Sequence, residues 1–261
     1  MGQLGNQMFQ YTFGKILSEK TGQRYQAMRK WLDKKGRPVK WNGLEMFCPT
    51  PSAGETRRGK PQEIRTGHWV DYEILDPERP INVLCGYFQR FEMIRDYTDK
   101  IRKEWLKIQR PFVETDDDAV YIHVRRTDYV NRDPTVTGLS HTIEQFAACL
   151  DHFPDAKKMV IVTDDPNDPW LQEFHKLGLP WTISGLSWDD DFMLLASCKN
   201  MIMSQSTYSW WAGFLGRAEK IVCPMFEGTF WHNGVGLYGP ASPDYPNLYV
   251  DTEPERWLWV Q

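Results

Sequence analysis

The sequence predicts an α/β fold whose second half carries a parallel sheet. Two observations lead there. From residue 119 onward, short apolar runs alternate with segments of helical period, the pattern of successive β-α-β crossovers. Polar clusters then follow the ends of three of those runs, which is where an open parallel sheet binds its ligands. This half of the chain reads as Rossmann-like.

In chain order, residues 7–20 fit an amphipathic helix with Phe9, Phe13, Ile16 and Leu17 aligned. Residues 21–66 are rich in Gly, Pro and basic side chains and read as loop-dominated. Ile81 to Phe88 reads as a strand. Residues 91–108 have the clearest helical spacing, through Phe91, Ile94, Thr98, Ile101, Trp105 and Ile108. Pro111 and the acidic stretch Glu114–Asp118 form a linker. Residues 119–124 (Ala-Val-Tyr-Ile-His-Val) are a strand, and a helix follows near 141–153 with Ile143, Phe146, Ala147 and Leu150 on one face. Met159–Thr163 is a strand, 168–177 a helix and Trp181–Ser184 a short strand. Asp189 to Asp191 begin a helix running to about Cys198. Strand Met201–Met203, a helix over 207–216 and strand Lys220–Cys223 close the series, with no internal repeat.

A chain of 261 residues accommodates one large or two modest domains. Charge favours two. Residues 1–110 hold 21 Lys and Arg against 13 Asp and Glu, whereas residues 111–261 hold 10 against 22. The expected division is one lobe over 1–115 and a Rossmann-like lobe over 116–261. A net charge of −4 argues against a nucleic-acid partner, while the basic lobe leaves peripheral contact with an anionic membrane surface open. Five cysteines lack paired metal spacing and mostly sit in apolar runs, as buried reduced thiols of a cytoplasmic protein do. No run reaches transmembrane length, no signal pattern opens the chain, and Asn6 stands where N-myristoylation wants Ser or Thr. The 12 Trp suit sugar-stacking surfaces, but they serve equally well as core.

The three polar clusters have complementary chemistry. His123, Arg125, Arg126 and Asp128 end the 119–124 strand, Asp164-Asp165 follow the 159–163 strand, and Ser204-Gln-Ser-Thr-Tyr-Ser209 opens a helix. Singly, each has a plain explanation, a salt bridge or a helix cap. Together on one sheet edge they read as one site. Ser206 and Thr207 at a helix start offer hydroxyls, unpaired N–H groups and the positive dipole end to a phosphate. Arg125 or Arg126 gives bidentate hydrogen bonds to phosphoryl oxygens. An ionised Asp164 accepts two hydrogen bonds from adjacent N–H donors, an edge that guanine presents.

Four motifs carry a family resemblance. They are Gly2-Gln-Leu-Gly-Asn-Gln-Met-Phe-Gln-Tyr11, Gly86-Tyr-Phe-Gln89, His123-Val-Arg-Arg-Thr-Asp-Tyr129 and Ser204-Gln-Ser-Thr-Tyr-Ser-Trp-Trp211. In order and approximate spacing they resemble the α-1,2-fucosyltransferases, across essentially the whole chain. The resemblance implies a GT-B-type fold of two Rossmann-like lobes facing a cleft. It also implies inverting transfer of L-fucose from GDP-β-L-fucose to a galactoside, with no cofactor and no required metal. Carried over by motif position, Arg125 contacts the diphosphate, His123 and Asp164 recognise guanosine, and Ser204, Ser206 and Thr207 belong to the phosphate-binding turn. Arg126 is the second candidate for the diphosphate. The Gly5-Asn6-Gln7 turn closes the cleft, with Asn6 near the fucose or diphosphate and Gln7 beside it.

The acceptor hydroxyl must also lose a proton. Asp133 matches the acidic residue that the related α-1,6-fucosyltransferases place near the acceptor. Asp128 is the second candidate, with bracing of the arginines as its other role, and His141 is the third. The acidic runs 116–118 and 189–191 read as a linker and a helix start rather than as metal ligands. Two departures from the family pattern stand out: only Met1 precedes Gly2, and position 127 is Thr where Gly is common. A different donor or linkage on the same fold is the alternative, followed by a sugar-nucleotide-binding protein without turnover. The acceptor itself is expected against the 21–80 region, Trp231 and His232.

Overall fold

A computed structural model of the chain describes residues 4–23, 31–32, 38–39, 43–47, 62–65, 81–85, 88–89, 91–130, 140–204, 206–224, 253 and 255–260. It divides into two compact units, Met1–Arg110 and Pro111–Gln261. Residues 111–115 are tied to the second unit. The Val113 N–H donates to Ser197 Oγ at 2.9 Å, and Thr115 Oγ1 donates to the Ser197 carbonyl at 3.3 Å.

In the first unit, α1 (Leu4–Thr21) is the dominant element, and Phe9, Phe13, Ile16 and Leu17 are all buried. Four short strands follow: β1 (Trp31–Leu32), β2 (Pro38–Val39), β3 (Gln62–Arg65) and β4 (Ile81–Cys85). The first two pair antiparallel and the last two parallel. The expected single helix over 91–108 is a relay of tighter and looser turns. It comprises α2 (Phe91–Ile94), a 3-10 turn Arg95–Tyr97, α3 (Thr98–Lys100) and a π turn Ile101–Trp105. The Leu106 N–H closes that π turn on the Ile101 carbonyl at 2.7 Å. Trp105 and Leu106 are both buried, although a regular helix turns consecutive residues about 100° apart.

The second unit is the Rossmann-like half. Its strands are β5 (Ala119–Val124), β6 (Lys158–Thr163), β7 (Trp181–Ile183), β8 (Asn200–Ile202), β9 (Lys220–Pro224) and β10 (Trp257–Val260). They form one six-stranded sheet in the order β10-β9-β8-β5-β6-β7, every pairing parallel. All six residues of β5 are buried, as befits a central strand covered on both faces. Between strands lie α4 (Thr127–Val130), α5 (Ile143–Leu150), a 3-10 helix Pro169–Leu177, α6 (Trp188–Ser197) and α7 (Thr207–Leu215). Local chemistry sets their starts. Thr142 and Gln145 form a capping box on α5, and Ser187 and Ser206 cap α6 and α7. Pro169 starts the 3-10 helix after Asp168, and Gly178 ends it at φ 75°. Helix α7 abuts the end of α6 so closely that a Cβ on Gly216 would lie 2.4 Å from the Ala196 carbonyl oxygen.

Among the described residues, no helix is long and apolar enough to cross a membrane. Cys149, Cys198 and Cys223 are free and buried.

Candidate active site

The strand order fixes where a ligand belongs. From β5 the chain builds outward through β6 and β7, then returns to place β8 on the other side of β5 and continues to β9 and β10. The direction of winding reverses between β5 and β8, and the crevice beyond their carboxyl ends is the favoured ligand position of such a sheet. Register brings His123 and Ser204 to that point, since Ile122 pairs with Ile202. His123 Nδ1 lies 2.6 Å from Ser204 Oγ, and both residues are buried. Burial, reinforced by the charge of Arg125, pushes the imidazole down to about 3. The ring is therefore neutral at physiological pH, and with Nδ1 engaged by Ser204, Nε2 is the nitrogen left for a ligand.

The neighbouring register Val124↔Thr163 sets Arg125 beside Asp164. Arg125 Nε stands 3.1 Å from Asp164 Oδ2. The same carboxylate accepts from the Arg126 N–H at 2.7 Å, the Thr127 N–H at 3.4 Å and the Thr127 hydroxyl at 2.6 Å. Burial works against the Asp164 anion, but the Thr127 and Arg126 hydrogen bonds and the Arg125 charge outweigh it, holding the carboxyl below its ordinary value. Two donors on each oxygen fill the roughly four acceptor directions of a carboxylate. Asp164 is thus a brace for the 125–127 turn. The role expected from the sequence, reading a guanine edge, would require it to release Thr127 or Arg125.

Arg126 serves a different set of partners. Its Nε donates to Asp168 Oδ2 at 2.6 Å, and its guanidinium lies 4.4 Å from the Trp170 ring centroid. It anchors the start of the 3-10 helix, which leaves Arg125 as the guanidinium at the switch point.

Helix α7 supplies the other wall. Ser206 Oγ accepts from the Tyr208 N–H at 3.3 Å, and Thr207 is the first helical residue. Tyr208 then links α7 to both neighbours. Its ring lies 5.4 Å from that of His123 and 5.4 Å, edge-on, from that of Phe192, and its hydroxyl donates to the Trp188 carbonyl. This brings α6 into the site with a residue that sequence reasoning missed. Asp191 is 6% exposed, and its Oδ1 is buried with no hydrogen-bond partner. Burial raises its carboxyl to about 6, with the Asp190 charge adding to the rise against a hydrogen bond with Ser184. The signal was present in the sequence. Trp188, Asp191, Phe192 and Leu195 occupy i, i+3, i+4 and i+7, so an acid interrupts an apolar stripe.

The remaining candidates fall elsewhere. Gly5, Asn6 and Gln7 form the first turn of α1 rather than a free turn. Asn6 Oδ1 accepts from Gln89 Nε2 at 2.6 Å, which joins two of the four motifs. Beside Gln89, Phe88 is held at φ 52°, a conformation costing about 1 kcal/mol or more outside glycine, and it stacks on Phe13 at 4.1 Å. Asp128 lies in α4 with its side chain outside the described residues, and Asp133, Trp231 and His232 are outside them altogether. His141 is buried against Phe146, and burial holds it at about 3 despite a hydrogen bond with Gln145. Of the acidic runs, Asp116 and Asp118 pair with Lys158 and Lys157, and Asp189 and Asp190 accept from the capping Ser187. Among the described residues, no group of three or more His, Cys, Asp or Glu is placed to hold a metal ion.

Residues 73–227, more than half of the chain and including the whole switch-point cluster, match the family model described as Glycosyl transferase family 11. The chain belongs to that family. Curated relatives point the same way and support the motif resemblance. Galactoside alpha-(1,2)-fucosyltransferase 2 of Oryctolagus cuniculus is 26% identical over 242 residues, covering 85% of this chain and 67% of the relative. Galactoside alpha-(1,2)-fucosyltransferase 1 of Alouatta caraya is 26% identical over 285 residues, covering 93% and 74%. The protein of the same name from Homo sapiens is 25% identical over 291 residues, again covering 93% and 74%. Membership of family 11 makes the chain a glycosyltransferase, and the α/β sheet with its ligand edge at the switch point is the part of the fold on which such chemistry rests.

Proposed function

We propose that this family 11 chain is an inverting galactoside α-1,2-fucosyltransferase. It takes L-fucose from GDP-β-L-fucose to the 2-hydroxyl of a terminal galactoside without a metal ion. The observation that carries the reading is the set of groups gathered at one sheet edge. These are the Arg125 guanidinium, the neutral His123 imidazole, the buried, unpartnered oxygen of Asp191 and the start of α7. The sugar, the linkage and the acceptor class of this reading are supported by the relatives, which are galactoside alpha-(1,2)-fucosyltransferases.

Breaking the fucosyl C1–O bond leaves negative charge on the departing GDP and positive charge on the sugar. Arg125 and the α7 start, with Ser206 and Thr207, hold the diphosphate and stabilise that charge by preorganised donors. Asp164 keeps Arg125 in place through its ion pair and its grip on the 125–127 turn. His123 and Asp191 face guanosine. Asp191 takes over from Asp164 the acceptance of two adjacent N–H donors, because one of its oxygens is open where those of Asp164 are filled. Asn6 and Gln7 stay assigned, by motif alone, to the fucose and diphosphate. Asp133 is assigned the acceptor proton, with Asp128 next in rank.

The test is a transfer assay in EDTA with GDP-fucose, GDP-mannose and UDP-hexoses, each offered with lactose and related galactosides. Only GDP-fucose is expected to react, giving an α-1,2 linkage. A different donor or linkage would move the chain to the alternative activity. Neither transfer nor hydrolysis of any donor would remove the enzyme reading.

A further inference from the structure

We propose that Trp188 is the stacking platform for the purine of the donor nucleotide, so that the first turn of α6 reads the base by its face as well as by its edge. The proposal rests on the reading of the switch point as a guanosine diphosphate site.

Trp188 is 49% exposed, and Leu186 two residues earlier is 51% exposed. Single exposed apolar residues need no explanation. Two within three residues, at the mouth of a binding edge, are a different matter. Trp188 is also held in place. Its carbonyl accepts from the Tyr208 hydroxyl, and Tyr208 packs against His123 on one side and Phe192 on the other. The first turn of α6, which carries the exposed indole, is therefore tied by its backbone to the residues that line the site. Trp188 and Asp191 stand three residues apart on α6, so their side chains share one face of the helix. Asp191 brings to that face a buried oxygen with no partner. A π-surface on the same helix face as an unpartnered acceptor is the pair needed to take a flat heterocycle carrying adjacent N–H donors, the base reaching the buried oxygen as it enters. The turn between β7 and α6 contains Gly185 at φ 63°, in the left-handed region.

The test is calorimetric titration of the full chain with GDP and, separately, with inorganic pyrophosphate. Trp188→Ala and Trp188→Leu should weaken GDP about ten- to a hundredfold, the usual effect of removing a base-stacking aromatic. Trp188→Tyr should stay within about fivefold of the wild type, and pyrophosphate affinity should be unchanged throughout. That last measurement also verifies that each variant keeps its phosphate site folded. GDP affinity in Trp188→Leu within twofold of the wild type overturns the platform and leaves the nucleotide site standing. A wild-type chain that binds no GDP sinks the nucleotide site itself.

Discussion

Replacing Asp191 by Asn should make the protein more stable at pH 8 and worse at holding its nucleotide. Asp191 is 6% exposed, one of its oxygens has no partner, and burial raises its carboxyl to about 6. In the unfolded chain the same group titrates near 3.9. The folded value is the higher one, so its contribution to stability is fully present below about 3.9 and is lost as pH rises through about 6. By pH 8 the folded anion is about 3 kcal/mol less favourable than the unfolded one. The amide still leaves a buried polar group imperfectly paired, which offsets part of that, so the net gain is about 1–2 kcal/mol. For a chain of this length that is a rise in melting temperature of roughly 2–8 °C at pH 8, which reverses to a small loss near pH 4, where the carboxyl of Asp191 is neutral and only the cost of the amide remains. The same change removes a charged acceptor from the site. A hydrogen bond to a charged group is worth about 1.5–3 kcal/mol, so GDP affinity should fall roughly ten- to a hundredfold. Thermal melts across pH 4–8 and GDP titrations of both proteins decide it. A variant that is no more stable at pH 8 and binds GDP as tightly as the wild type would refute both halves of the reasoning.

Arg125→Ala should lower turnover with GDP-fucose about 10²–10³-fold while the far-ultraviolet circular dichroism is unchanged; turnover within tenfold would remove its charge-stabilising role. Asp164→Asn places an amide donor against Arg125 or Thr127, so it should cost about 2 kcal/mol by chemical denaturation at pH 7. That penalty should vanish in acid, because the folded carboxyl of Asp164 lies below its ordinary value and its contribution is lost as pH falls through that folded value. His123 and His141 are both held at about 3, against about 6.5 when unfolded, so each makes the wild type lose stability as pH falls below about 6.5. The expected slope between pH 6 and 5 is about 1.4 kcal/mol per pH unit for each histidine, opposed by the raised carboxyl of Asp191, and His141→Gln should lower the slope measured by urea titration by about that one-histidine amount. Gly216→Ala puts a Cβ 2.4 Å from the Ala196 carbonyl oxygen, so it should cost about 3 kcal/mol and weaken nucleotide binding by shifting α7 against α6.

What the sequence revealed follows burial. The strand over residues 119–124 is legible to the residue because every position in it is buried, and a strand covered on both faces reads as one unbroken apolar run. Strand Trp257–Val260 is not legible, since four residues between Arg256 and Gln261 carry no period of their own and become a strand only by pairing with Lys220–Pro224. The 91–108 segment shows a limit of another kind. Side-chain spacing says that one face is buried but does not report whether each turn closes on the third, fourth or fifth residue, and here all three occur. At the site, His123, Arg125, Ser204 and Ser206 were legible because they abut strand ends, where topology puts ligands. The partners of Arg126 were not, because Asp168 and Trp170 meet it through the fold and are far from it in the chain.

The two carboxylates of the switch point show why residue type alone does not assign a role. Asp164 and Asp191 are both partly or wholly removed from water; Asp164 directly follows β6, and Asp191 lies in the first turn of α6. Burial raises the carboxyl of each, yet their values move in opposite directions. The difference is the number of donors. Asp164 has two backbone N–H groups, a hydroxyl and a guanidinium, so its charge is paired and its geometry fixed before any ligand arrives. Asp191 has an oxygen with none, and in a folded protein such an atom is costly unless something completes it. Filling Asp164 makes a rigid support for Arg125. On the proposed reading, the unpartnered Asp191 is a receptor, because the ligand that brings two N–H donors recovers the hydrogen bonds the fold withholds. In the proposed site, the stability given up at Asp191 in the free protein is returned as selectivity for a base edge with adjacent donors, the pattern by which guanine differs from adenine or uracil.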